Sequence, residues 1–235
     1  MIPTPTLDLI DGILIVLLLV LMPAFSLAQA SALDRLPFDR LSAYWSSIAA
    51  LWFLGATSWL VGTRDGGLRE IGLVWIPWGE LIGWSLGIAL VGVSIMLGFR
   101  VVAGWLGVSE THVLTRLLPR TGREKRVFAL LSVAAGVGEE VAYRGYAVPV
   151  LAVAVGVPWS VAITSAVFGV LHSYQGPLGM IRTGVMGAVL AGGFLMSGSL
   201  LPVIIGHALV DLLGGLVISH WFVEDLAETT DLPGG

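Results

Sequence analysis

The sequence predicts an all-α membrane protein in which about seven transmembrane helices form one bundle. Of its 235 residues, 56% are hydrophobic and 12% are charged, and the mean hydropathy is +0.92. A soluble domain carries about 25% charged residues. Apolar segments close to the roughly 20 residues that a helix needs to cross a bilayer recur along the chain. We therefore expect an integral, multi-pass membrane protein.

Charged loops and turn-forming segments divide the chain into its predicted spans. Within a range of six to eight, we predict seven spans, at residues 9–28, 43–62, 77–99, 127–150, 157–173, 177–197 and 200–222. The separators include VPW (157–159) and GPLG (176–179), which are typical of turns. Residues 1–223 are expected to form a single domain, and the acidic segment 224–235 a flexible tail.

The first predicted span ends in AQA, which is similar to a signal-peptide cleavage site. A signal peptide begins with a positively charged region. Here the first twelve residues contain Asp8 and Asp11 but neither Lys nor Arg. We therefore expect this span to be retained as the first membrane helix.

The distribution of basic residues predicts the orientation of the bundle. The loop 100–126 contains the largest cluster, formed by Arg100, Arg116, Arg120, Arg123, Lys125 and Arg126. Cytoplasmic loops carry an excess of Lys and Arg, so this loop is predicted to be cytoplasmic, with the N-terminus outside. Within it, residues 110–120 place apolar side chains at helical spacing beside two arginines. This pattern predicts a short interfacial helix, with a plain connecting loop as the alternative.

Two further patterns concern packing and excluded functions. Small residues at four-residue intervals, which permit close helix contacts, are Gly83, Gly87, Gly184, Ala188 and Gly192. The chain has no cysteine, which excludes disulfides, zinc thiolate sites and a cysteine nucleophile. It also has no basic tract and a net charge of -4, so a nucleic-acid partner is not expected.

The segment GVGEEVAYRGY (136–146) places three charged side chains inside a predicted span. Each costs at least about 2.5–3.5 kcal/mol near the bilayer centre. Glu140 and Arg144 are four residues apart, so they can pair on one helix face. Glu139 lies about 100° further round an α-helix, and its expected hydrogen-bond donor is Tyr143, four residues on.

Two later spans contain the other deep ionisable groups. His172 follows Phe168 by four residues, and His207 precedes Asp211 by four, so this carboxylate can orient the imidazole. Because polar groups in lipid need partners inside the bundle, we expect Glu139 to meet these residues around a wet cavity. Such a site can activate water directly or through a metal, and zinc suits these ligand types.

The polar residues alone leave three functions open. Hydrolysis is one, although no serine has an obvious base at a recognisable spacing, which disfavours a serine mechanism. A proton-coupled transporter could use the same acids and histidines as a relay. A non-catalytic membrane protein that binds a partner is the third.

Three motifs occur in order: Glu139-Glu140-x-x-x-Arg144, Phe168-x-x-x-His172 and His207-x-x-x-Asp211. Over residues 125–215 the chain thereby resembles the CAAX-processing endopeptidases and their prokaryotic relatives, the CPBP (Abi) family of intramembrane proteases. The resemblance implies a membrane-embedded helical fold and peptide-bond cleavage in or beside the bilayer. It also implies a peptide or protein substrate that reaches the site from the membrane.

The resemblance implies a role for each motif residue. Glu139 corresponds to a general base that activates water, and His172 binds that water or a metal. His207 and Asp211 complete the site or stabilise the oxyanion, although relatives often carry Asn where this chain has Asp211. A zinc ion, if bound, would be held by Glu139, His172 and His207. The expected location is the cell membrane of a prokaryote.

Overall fold

The computed structural model describes residues 7–33, 39–64 and 67–218, and these form helices joined by turns, with no strand among them. The all-α prediction is therefore confirmed. The predicted tail, 224–235, and the last residues of the seventh predicted span lie outside the described residues.

The described helices form seven successive rods along the chain. Their α-helical bounds are α1 (Leu9–Val16), α2 (Met22–Leu33), α3 (Arg40–Gly62), α4 (Trp78–Leu106), α5 (His112–Leu117), α6 (Gly122–Glu139), α7 (Val148–Val155), α8 (Val157–Leu171), α9 (Gly176–Ser197) and α10 (Leu201–Leu213). The π-helical segments Leu17–Leu21 and Glu140–Ala147 join α1 to α2 and α6 to α7, and Gly214–Ile218 extends α10. The short α5 is separate from the seven rods. It lies within residues 110–120, for which a short interfacial helix was predicted.

Four of the described helices are long and apolar enough to cross a membrane: Leu9–Ala30, Arg40–Gly62, Trp78–Leu106 and Ser173–Ser197. Val157–Leu171 and Leu201–Val217 are shorter apolar helices. Large apolar side chains such as Leu90 and Trp105 are exposed on the outer surface of the bundle. An apolar exterior of this kind suits contact with lipid.

Helix caps explain where hydropathy misplaced the element ends. The helix containing the fourth predicted span begins at Gly122 rather than at residue 127, because Thr121 and Glu124 form a capping box. Backbone N–H groups of Thr121 and Arg120 and the Arg40 guanidinium hold the pKa of Glu124 down to about 2. Likewise GPLG (176–179) forms the first turn of α9 instead of a loop, since proline is compatible with the first turn of a helix.

Polar contacts tie the rods together at both ends of the bundle. At the end that carries the basic loop, Arg40 donates to the Arg116 carbonyl and to Glu124, both at 2.7 Å. At the opposite end Asp11 is buried and accepts hydrogen bonds from Arg64 and, at 2.8 Å, from the Tyr146 hydroxyl. Asp11 therefore fixes the first rod to the bundle.

Glycines permit close contacts on both sides of the helix that carries Glu139. A Cβ at Gly138 would overlap the Leu51 backbone of α3, and one at Gly136 would lie 2.7 Å from the Ile204 carbonyl oxygen of α10. The predicted close contacts at Gly83, Gly87 and Gly192 were wrong, because a Cβ there would meet no heavy atom of the described residues within 4 Å. Four-residue spacing defines a stripe of small residues but does not determine whether that stripe faces another helix.

Candidate active site

The first site motif lies where α6 changes into a π-helix. Glu139 is the last residue of α6, and every residue of the following π-helical segment, Glu140–Ala147, is buried. A π-helix has a wider turn than an α-helix and often occurs at functional sites. The directions of the side chains after Glu139 therefore depart from those expected for a regular α-helix.

The Glu140 carboxylate bonds to two side chains, Arg144 and His207, that lie on different helices. Its Oε1 atom accepts from Arg144 Nη1 at 2.7 Å, as the spacing predicted, and also lies 2.7 Å from His207 Nδ1 on α10. The Glu140 side chain is fully buried. Since a carboxylate accepts, the Nδ1–H of His207 donates to it, and Glu140 thereby fixes the orientation of this imidazole.

Arg144 is buried by contacts with two further helices. Its Nη2 donates to the Gly187 carbonyl of α9 at 3.1 Å, and its guanidinium carbon lies 4.4 Å from the centroid of the Phe168 ring on α8. A buried arginine with an ion pair, a carbonyl acceptor and an aromatic face is well compensated for loss of water. These contacts are those of a residue that supports the site.

Phe168 packs at the centre of the site. Its ring centroid lies 4.9 Å from that of His172, 5.8 Å from that of Tyr143 and 6.0 Å from that of His207. The aromatic residue four positions before His172 therefore contacts both histidines and the arginine. It fixes the relative positions of α8, α10 and the π-helical segment.

His172 caps the end of α8, and its Nδ1 lies 2.8 Å from the Phe168 carbonyl oxygen. A carbonyl can only accept, so the proton of the neutral imidazole is on Nδ1. This leaves the Nε2 lone pair of His172 as an acceptor in the cavity that the residue lines.

Glu139, His207 and Asp211 converge on this cavity. His207 Nε2 lies 3.8 Å from Glu139 Oε2 and 3.8 Å from Asp211 Oδ2. Both separations exceed a hydrogen bond. Glu139 Oε2 is buried and has no hydrogen-bond partner in the described parts of the chain. The cavity has a volume of about 1240 Å³, and His172 lines it together with these three residues.

The predicted contact between Tyr143 and Glu139 was wrong. The Tyr143 hydroxyl donates instead to the Leu18 carbonyl of the first rod, at 3.3 Å. The intervening π-helical turn redirects Tyr143, and the buried side chain packs with Leu18 in a hydrophobic cluster. Tyr143 thus supports the cavity wall and leaves the Glu139 carboxylate without a donor from its own helix.

Sequence reasoning missed the contribution of the first rod. Ser26 Oγ donates to the Leu171 carbonyl at 2.7 Å and lies 3.0 Å from Ser173 Oγ. These two partners flank His172 in the chain. No local spacing relates residues separated by 145 positions, so only the tertiary structure could identify this contact.

Sequence reasoning also missed a second group of polar side chains that line the same cavity. Arg182 donates to Glu110 at 2.8 Å and to Gln175 at 2.9 Å, and all three residues line the cavity. One signal was present, because Arg182 is the only charged residue in the predicted span 177–197.

The predicted zinc ligands do not form a ligand set in the described residues. No group of three or more histidine, aspartate or glutamate side chains there is arranged to hold a metal ion. In His172 and His207 Nδ1 bonds to the Phe168 carbonyl and to Glu140 respectively, which leaves Nε2 as the ring nitrogen able to bind a metal. The residue types suit zinc, but the positions of the described side chains do not fit it.

Comparison with known proteins supports the resemblance inferred from the three motifs. Residues 124–213 match the family model described as type II CAAX prenyl endopeptidase, Rce1-like. The match contains all eight predicted site residues, and it confirms the predicted resemblance. No curated protein and no solved structure gives a significant match. At the level of the family, the match supports an intramembrane endopeptidase of the CAAX type.

Proposed function

We propose that this protein is an intramembrane endopeptidase that hydrolyses a peptide bond near the C-terminus of a membrane-associated protein or peptide. The observation that carries the proposal is the position of His207 Nε2. Glu140 holds the other ring nitrogen, and Nε2 faces Glu139 Oε2 at 3.8 Å. A general base, an oriented imidazole and a large cavity are the parts that water activation needs.

Glu139 starts the reaction by taking a proton from a water molecule. The resulting hydroxide attacks the carbonyl carbon of the scissile peptide bond and forms a tetrahedral oxyanion. Glu139 then returns the proton to the leaving nitrogen, and the carbon–nitrogen bond breaks. The products are a new carboxylate terminus and a free amine, so one water is consumed for each bond cleaved.

The two histidines have different roles in this mechanism. Nε2 of His172 accepts a hydrogen bond from the water and holds it beside Glu139. His207, when protonated, donates from Nε2 to the oxyanion while Glu140 balances its charge through Nδ1. Donors directed at a developing oxyanion contribute strongly to acyl-transfer catalysis. Asp211, 3.8 Å from Nε2, further stabilises the charged imidazole.

The test is cleavage by the purified protein in liposomes. A farnesylated peptide with a CAAX terminus and its unprenylated counterpart serve as substrates, with both fragments identified by mass spectrometry. We expect Glu139→Gln to lower the rate by about 10²–10⁴-fold, the usual contribution of a general base. Glu80→Gln is the control, because Glu80 is an exposed acid near the start of α4.

Each other outcome has a defined meaning. Full activity of Glu139→Gln would contradict the mechanism. Proton-driven solute uptake without cleavage of either peptide would favour the transporter. Because the described side chains form no metal-ligand set, we expect cleavage to persist after chelation with 1,10-phenanthroline. Loss of activity that added zinc restores would instead assign the two histidines to a metal.

A further inference from the structure

A second polar group lies in the same cavity as the residues of the proposed mechanism. Arg182 projects from the second turn of α9. It is the only Lys or Arg among the described residues that line the cavity, which also include the acidic Glu139 and Asp211. The cavity therefore combines acidic groups at the reacting centre with one permanent positive charge.

Neighbouring side chains hold the guanidinium of Arg182 in place. Nη1 donates to Glu110 Oε1 at 2.8 Å and Nη2 donates to Gln175 Oε1 at 2.9 Å. The Arg182 side chain is 13% exposed. A guanidinium carries five N–H donors in a planar fork, and these two bonds use one from each terminal nitrogen. Arg182 is thus oriented in advance and keeps the capacity to bind another acceptor.

A short series of contacts joins Arg182 to the proposed catalytic residues. The rings of His172 and Tyr174 are 5.9 Å apart between centroids. The Tyr174 hydroxyl accepts from Gln175 Nε2 at 3.2 Å, and Gln175 in turn accepts from Arg182. An extended peptide advances about 3.3 Å per residue, so a few residues suffice to span from His172 to the guanidinium.

We propose that Arg182 binds the free C-terminal carboxylate of the peptide substrate and so determines that cleavage occurs a few residues from the end. This inference rests on the proposed function. A carboxylate that enters a cavity with Glu110, Glu139 and Asp211 is repelled unless a cation compensates it. Arginine is suited to this task because it binds a carboxylate through two parallel hydrogen bonds.

Glu110 has the opposite effect in this scheme. In the free protein it neutralises Arg182, and the substrate carboxylate competes with it for the guanidinium. Removal of the Glu110 charge should therefore strengthen binding of a peptide with a free carboxylate. Removal of the Arg182 charge should weaken binding of the same peptide. The two variants are a matched pair with opposite expected effects.

The test measures binding, so it does not depend on turnover. The Glu139→Gln protein is titrated with the farnesylated CAAX-terminated peptide, prepared as the free acid and as the C-terminal amide. We expect the acid to bind about ten- to a hundredfold more tightly, the range of a hydrogen bond to a charged group. Adding Arg182→Gln should reduce this ratio to about one, and Arg182→Lys should leave an intermediate ratio.

The ratio is measured within each variant, so a partly unfolded sample lowers binding of both peptides equally. Adding Glu110→Gln should increase the preference for the acid. The inference is overturned if the parent protein does not discriminate between acid and amide, or if Arg182→Gln retains the preference. Failure of the wild-type protein to cleave either form would contradict the proposed function instead, so the two failures are distinguishable.

Discussion

At the scale of single residues, Glu140 has two connected roles. It neutralises a buried arginine and also accepts from His207 Nδ1, both at 2.7 Å. The Glu-Glu pair is therefore divided between functions. Each glutamate has one Oε2 without a protein donor in the described residues, but only the Glu139 side chain lines the cavity, as a base that activates water requires. Glu140 uses its Oε1 to bind Arg144 and to orient His207.

Substitutions at this pair should separate stability from catalysis. Glu140→Gln leaves Arg144 buried without its counter-ion, which costs about 3–5 kcal/mol, so the thermal midpoint in detergent should fall. The double variant Glu140→Gln/Arg144→Met removes both charges and should recover much of that stability. It should not recover cleavage, because His207 still lacks its carboxylate. Wild-type turnover in the double variant would show that the bond from Glu140 to His207 has no role in catalysis.

At the scale of the helices, the first rod forms a wall of the site. The Tyr143 hydroxyl bonds to its Leu18 carbonyl, and its Ser26 hydroxyl bonds to the Leu171 carbonyl beside His172. The end of α8 has unsatisfied carbonyls, and Ser26 supplies a donor from another helix. The position of His172 therefore depends on the docking of a helix distant in sequence.

Ser26→Ala should lower kcat about fivefold with little change in KM, the effect of losing one hydrogen bond that orients His172. Ser26→Thr retains the hydroxyl and should restore most of the rate. Ser94→Ala is the matched control, because the exposed Ser94 hydroxyl bonds within its own helix, to the Leu90 carbonyl. An increase in KM with kcat unchanged would assign Ser26 to substrate binding rather than to positioning.

At the same scale, α6 packs closely against α10. A Cβ at Gly136 would lie 2.7 Å from the Ile204 carbonyl oxygen and 3.1 Å from the Ala208 Cβ, next to His207. Gly136→Ala should push the two helices apart and reduce both cleavage and the thermal midpoint. Gly87→Ala, where no atom in the described parts of the chain would lie within 4 Å of the added Cβ, should preserve activity and stabilise α4 by up to about 1 kcal/mol. Equal behaviour of the two variants would contradict this packing.

At the scale of the whole molecule, the rods alternate in direction between two distinct ends. The basic loop 100–126, the start of α3 and the turn after α8 meet at one end, joined by Arg40 to Glu124 and by Thr111 to the Tyr174 carbonyl. Asp11, Arg64 and Tyr146 meet at the other. The polar cavity lining beside Arg182 belongs to the first end, which the basic residues predict to be cytoplasmic.

The absence of cysteine from the sequence makes this orientation directly testable. Lys125→Cys and Leu68→Cys each introduce one thiol at an exposed position, at opposite ends of the bundle. A membrane-impermeant maleimide should label the Leu68 variant in intact cells and the Lys125 variant only after permeabilisation. The unmodified protein is the background control, and the reverse labelling pattern would invert the predicted topology.

The sequence by itself determined the helical class, the order of the rods and the Glu140–Arg144 pair. These depend on hydropathy over about 20 residues and on four-residue spacing, which are local properties. It did not determine that Glu140, rather than Asp211, bonds to His207, that Tyr143 turns toward Leu18, or that Ser26 supports His172. Such contacts depend on how each rod is rotated about its axis and where a π-helical turn interrupts it. Packing between residues far apart in the chain decides both, so only the tertiary structure could define the site.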